Sequence, residues 1–128
     1  MNERRQGREA QPPVYQAKAE LFRILGHPVR VRTLELLRDG ERTVGGLQEA
    51  LGLDSSGTSQ HLGLLRKNGI LESRREGTSV YYRIKDPRVS QLLTVARQIL
   101  TSALSDSHAL LSELAGEPVP ASATKRRS

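Results

Sequence analysis

Residues 53–84 read LDSSGTSQHLGLLRKNGILESRREGTSVYYRI. The first half has the pattern of a short helix opening on Ser55 and Ser56. Hydroxyl oxygens there can cap the orphan N–H groups of a first turn. Thr58, Leu62 and Leu65 recur at helical spacing and share a face suited to packing inward. Ser59, Gln60, Gly63, Arg66 and Lys67 then point elsewhere, toward solvent or a ligand. Gly69 follows the last turn, where a left-handed residue commonly ends a helix. The second half changes period. Leu71, Val80, Tyr82 and Ile84 occupy the apolar positions of two half-buried strands joined at Glu76-Gly77-Thr78, with Gly77 supplying the positive φ of a tight turn.

Charge adds a function to this pattern. Between Ser55 and Lys85 six basic residues (66, 67, 74, 75, 83, 85) stand against two acidic ones (72, 76). A local excess of cations suits a phosphate backbone, which releases its counterions on contact. A polar-tipped helix followed at once by a basic hairpin is the order of a winged helix-turn-helix. In that arrangement the N-terminal turn of the recognition helix meets base edges. The expected fold is therefore mainly α with a small β-hairpin wing, in the order ααααββα, and the expected partner is double-stranded DNA.

The 128 residues suffice for one domain with a modest core. The net charge of +6 is consistent with nucleic acid but does not establish it. There is no cysteine, which removes disulfides, thiolate metal sites and thiol redox sensing. No apolar run reaches the ~18 residues of a membrane span, and the N-terminus lacks a signal-peptide core. The expectation is a soluble, cytoplasmic protein, held at the nucleoid when bound to DNA, with no membrane partner.

In chain order, residues 1–13 are polar and end in two prolines, a flexible arm whose Arg4, Arg5 and Arg8 are solvated. Val14 to Leu25 reads as a first helix, with Val14, Ala17, Leu21, Phe22 and Leu25 at helical spacing. Gly26-His27-Pro28 stops it, and Pro28 suits the first turn of a second helix running to about Arg38. His27 has the place of a cap or packing group. Thr43 can cap a third helix, Val44 to Leu51, ahead of the tight turn at Gly52. Asp86-Pro87 then opens a long last helix with a continuous apolar stripe. The stripe either continues through Leu110, Leu111 and Leu114 or restarts at Ser105-Asp106, which has the form of a fresh cap. Unbroken over 87–115, it would be ~43 Å long, more than one small domain covers. The expected remedy is a homodimer seam of Leu21, Leu25, Leu92, Ala96, Ile99, Leu100 and Ala103. Residues 14–115 form the expected domain, and 116–128 a flexible basic tail.

Three motifs, LGHPVRVRTLELL (25–37), TVGGLQEALGL (43–53) and residues 55–84, make the chain resemble the ArsR/SmtB family of bacterial winged-helix repressors over roughly residues 17–104. The resemblance implies a homodimer built on the first and last helices that represses by occupying an operator. It places DNA reading at Ser55, Ser56, Thr58, Ser59, Gln60 and His61. Wing contacts would come from Arg74, Arg75 and Thr78 or Ser79. Arg66 and Lys67 would reach phosphates, adding affinity without sequence preference.

The chain departs from the pattern at its metal sites. Where metal-sensing members carry cysteines at the start of the third helix, this one has Arg42-Thr43-Val44-Gly45. The zinc ligands of the paired last helices correspond to Asp86, Arg88, Ile99 and Ser102, of which Asp86 alone is a ligand type. No metal or cofactor is expected, Asp106 and His108 being poorly spaced to share a helix face. The effector is not named by any residue pattern. The expected function is sequence-specific regulation at an inverted-repeat operator; the alternative is a winged-helix module serving a protein partner without a small-molecule effector. Catalysis is not expected. Ser59 and His61 lie too close on one helix for a nucleophile–base pair, and no phosphate loop or carboxylate pocket is present.

Overall fold

The computed structural model describes residues 11–116. The arm and tail expected over 1–13 and 116–128 lie outside them, apart from 11–13 and Gly116. The elements are α1 (Val14–Leu25), α2 (Pro28–Leu36), β1 (Arg42–Thr43), α3 (Val44–Leu51), α4 (Ser55–Lys67), β2 (Leu71–Glu76), β3 (Ser79–Ile84) and α5 (Arg88–Leu114). They fall into two units, one ending at Pro87 and the other starting at Arg88.

In the first unit, local chemistry sets most boundaries. Pro28 occupies the first turn of α2, and the Val29 N–H donates to Nδ1 of His27 at 3.1 Å, so His27 is the N-cap. Thr43 caps α3 by accepting from the Gly46 N–H at 3.0 Å. Helix α2 ends at Leu36, two residues short of the expected Arg38. The chain tightens there: the Arg38 N–H bonds to the Glu35 carbonyl, and the Arg42 Nε–H caps the Leu36 carbonyl at 3.0 Å.

The sheet has three strands in the order β1-β3-β2, all antiparallel. Strand β1 is an addition to the expected hairpin. Two residues carry no period, and Arg42 and Thr43 become a strand by pairing with Tyr82 and Tyr81 of β3. The β2–β3 register runs from Leu71 opposite Ile84 to Glu76 opposite Ser79. Gly77 has φ +64° at the turn, a conformation that costs a side-chain-bearing residue energy and glycine little.

The core gathers Leu34, Leu37, Leu47, Leu62, Leu65, Ile70 and Leu71, with Leu34, Leu47 and Leu65 wholly buried. Each such side chain contributes about 1.5–3 kcal/mol on leaving water. The two buried threonines are satisfied locally. The Thr33 hydroxyl donates to the Val29 carbonyl at 2.7 Å and Thr58 to the Asp54 carbonyl at 2.9 Å.

The second unit is the single helix α5, 27 residues long and unbroken at Ser105-Asp106. Its length is ~40 Å. It starts at Arg88, one residue after Pro87. Ile99, Leu100 and Leu104 are 63%, 63% and 71% exposed. In α1, Leu21 and Phe22 are exposed, whereas Leu25 is buried. Leu25, expected at a seam, therefore has no apolar area to offer a second copy.

Truncating Leu65 to Ala should cost ~2–5 kcal/mol through lost transfer energy and a residual cavity. Urea unfolding followed by circular dichroism measures it; a loss below ~1 kcal/mol would mean that the α4 packing is not central to the core.

Candidate nucleic-acid interface

Helix α4 buries one side and leaves the other bare. Thr58, Leu62 and Leu65 are buried, while Ser55, Ser56, Ser59, Gln60, Arg66 and Lys67 are exposed. The spacing dictates this division, since residues three and four apart share a helix face.

The cap differs from the expected one. Asp54, not a serine, is the N-cap, its carboxylate accepting from the Gly57 N–H at 2.7 Å. An Asp and a Ser are equally good caps, so D-S-S-G alone leaves the register open. With Asp54 in that role, neither Ser55 nor Ser56 is the side-chain cap of the first turn, and both are exposed at the helix tip.

One residue leaves the expected DNA-reading set, and a second is partly engaged within the protein. Thr58 is wholly buried and its hydroxyl is already donated, so it cannot touch a base. His61 turns toward α2. Its ring lies 4.4 Å from that of His27, tilted by 44°, and its Nδ1 is 3.3 Å from Nη1 of Arg30. It is half-buried, with part of its ring engaged by α2.

Between the first turn of α3, helix α4 and the wing lies an open groove of about 500 Å³. Thr43, Val44, Gly45, Ser59, Thr78, Ser79, Val80 and Tyr82 line it. Its wall is largely hydroxyls and small side chains, a surface able to hydrogen-bond phosphate or base edges without charge selection.

The wing arginines differ. Arg74 is held on three sides: Nη2 lies 2.5 Å from Glu41 Oε1, Nη1 lies 2.6 Å from Glu76 Oε1, and the guanidinium carbon sits 4.3 Å over the Tyr81 ring. The hydrogen bond from Arg74 holds the Glu41 carboxyl below the usual carboxylate range; the bonds to Glu41 and Glu76 raise the Arg74 guanidinium in turn. Arg83 pairs with Glu72 at 2.6 Å. Arg66, Lys67, Arg75 and Lys85 are exposed, and among the described residues none of the four has an ion-pair partner. Arg74, expected as a DNA contact, is thus already committed to protein carboxylates. Glu41, which no motif singles out, is the residue that commits it; 33 positions separate the two.

Among the described residues no three His, Cys, Asp or Glu side chains come together. At the positions that the resemblance assigns to metal, Arg42-Thr43-Val44-Gly45 carries no cysteine, histidine or carboxylate and position 88 is an arginine. Among the described residues no helix is long and apolar enough to cross a membrane.

Two short helices around a glycine turn, the second a recognition helix with a polar exposed face, and a basic three-stranded wing define a winged helix-turn-helix DNA-binding protein of the transcription-regulator class. Residues 27–73 match the family described as "Bacterial regulatory protein, arsR family". An uncharacterized HTH-type transcriptional regulator of Mycobacterium tuberculosis, Rv0081, is 47% identical over 103 residues, covering 80% of this chain and 90% of the relative. Its crystal structure aligns with a TM-score of 0.71 at 46% identity, covering 77% of this chain and 100% of that one. The homodimeric winged helix-turn-helix domain from Mycobacterium bovis, solved by solution NMR, aligns at 0.66 with 31% identity, covering 73% and 86%. The transcriptional repressor BigR from Xylella fastidiosa aligns at 0.63 with 32% identity, covering 77% and 95%. The chain belongs to the ArsR family of transcriptional regulators.

The His61 site yields a pH prediction. Desolvation, then the neighbouring His27 and the Arg30 charge, hold the imidazole below the ordinary histidine value of 6.5. The unfolded chain therefore takes up this proton more readily than the folded one. Stability is full above about pH 6.5 and is lost as pH falls below it. The thermal midpoint should drop between about pH 7.5 and about pH 5.5, and His61→Gln should flatten that drop. An equal drop in both proteins would locate the dependence elsewhere.

Proposed function

We propose that this chain is a homodimeric repressor that binds an inverted-repeat operator. The observation that carries the reading is the bare face of α4. Four uncharged hydrogen-bonding side chains, Ser55, Ser56, Ser59 and Gln60, stand exposed at its N-terminal end, and the unpaired cations Arg66 and Lys67 at its C-terminal end. The first group reads bases and the second engages phosphate, joined from the wing by Arg75. Gln60 has the two-sided amide that recognises adenine.

Dimerisation rests on the exposed apolar residues. Leu21 in α1 and Ala96, Ile99, Leu100 and Ala103 in α5 are open to a second copy, with Leu92 half-buried. Phe22, Val95 and Leu104 belong with them, all exposed. The M. bovis relative is a homodimer and the X. fastidiosa relative a repressor, which supports the same assignment here. A two-fold dimer would set two recognition helices ~34 Å apart, one turn of DNA. Release from DNA would not use thiolate chemistry, because the chain has no cysteine.

Fluorescence anisotropy with the DNA upstream of the protein's own gene, against scrambled DNA, tests the reading. Gln60→Ala should weaken the specific complex by ~1–3 kcal/mol and leave non-specific binding nearly unchanged; equal losses on both DNAs would refute base reading by Gln60. Separately, Ile99→Glu should halve the mass seen by light scattering, and an unchanged mass would exclude the α5 seam.

A further inference from the structure

Strand alternation puts adjacent wing arginines on opposite faces, because side chains two apart share a face. Glu72, Arg74 and Glu76 form one face of β2, with Tyr81 and Arg83 opposite them on β3. Arg75 stands on the other face, opposite Val80. Val80 and Tyr82 of that face line the groove beside Ser59 of α4. The free cation is thus on the groove side and the bound one on the far side.

The bound arginine bridges two parts of the molecule. Glu41 lies two residues before Thr43, which pairs with β3 and caps α3. Arg74 joins Glu41 to Glu76 at the wing turn and packs its guanidinium over Tyr81. These pairs are exposed, so their share of folding stability is small. Their geometric effect is larger. They tie the hairpin to the segment that starts the helix-turn-helix, and so set the direction in which the hairpin projects.

We propose that Arg74 is a positioning residue, clamped by Glu41, Glu76 and Tyr81 to orient the wing, and that the wing's phosphate contact belongs to Arg75. This rests on the DNA-binding reading above and refines it. The clamp presents the wing at a fixed angle before DNA arrives, so less ordering is needed on binding.

The experiment measures the affinity of the chain for the DNA upstream of its own gene, taken as the operator, across a salt series for wild type, Arg75→Gln, Arg74→Gln and Glu41→Gln. Arg75→Gln should reduce the slope of log affinity against log salt by about 0.9 for each phosphate that the arginine neutralises. Arg74→Gln should leave the slope unchanged and weaken the operator complex about tenfold. Glu41→Gln is the sharpest arm. Removing an acid from a DNA-binding surface should tighten binding if charge alone acts; the clamp requires weakening, by up to about fivefold for one exposed pair. Operator binding by Glu41→Gln as tight as wild type or tighter, or a reduced slope in Arg74→Gln, overturns the proposal. If wild type itself shows no preference for the operator over scrambled DNA, the DNA-binding reading fails first, and the clamp falls with it.

Discussion

The structure depends on one packing constraint, the burial of the Thr58–Leu62–Leu65 face of α4. A helix of 13 residues cannot be stable alone in water, so it persists by giving one stripe to a core. Leu34 and Leu47 are buried along with that stripe. Once the stripe is fixed, the helix has no rotational freedom left. Ser55, Ser56, Ser59 and Gln60 must face outward, and their exposure follows from the leucines behind them. Even Thr58, a polar residue in the buried stripe, is consistent, because it returns its hydroxyl to the backbone one turn earlier.

Charge is distributed with the same economy. The basic excess around the wing resolves into arginines held by carboxylates and cations left free. Glu41, Glu72 and Glu76 take up Arg74 and Arg83, while Arg66, Lys67, Arg75 and Lys85 stay open to a polyanion. The electrostatic face is therefore smaller and better defined than the count of basic residues suggests. Counterion release depends on cations that reach phosphate, and an arginine already neutralised by two carboxylates contributes little to it.

Helix α5 follows a different rule. It is long and apolar on a stripe that runs through Val95, Ile99, Leu100 and Leu104, all exposed. Exposed apolar area of this extent is costly in water, and it is what carries the proposed dimer seam. In α1, Phe22 and Leu21 are exposed in the same way, and Leu25 is not. Helical spacing groups Leu25 with Leu21, four residues apart, but the last turn of α1 is where the chain bends through Gly26 toward α2, and its Leu is enclosed.

Much of this was legible in consecutive residues. Helical period, the change to strand alternation after Gly69, the glycine at the wing turn, the Thr43 and His27 caps and the absence of cysteine are properties of neighbours along the chain, and they determined a winged helix-turn-helix with a polar recognition helix. Only the tertiary structure decided the rest. It chose Asp54 over Ser55 and Ser56 as cap, turned His61 back toward His27 and Arg30, enclosed Leu25, added the two-residue strand β1 and assigned Arg74 to Glu41. The physical reason is common to most of them. His61 and Arg30 are 31 residues apart and Arg74 and Glu41 are 33, and no local period carries information across such a separation. Which of two adjacent arginines is free and which is bound depends on what the fold brings opposite each.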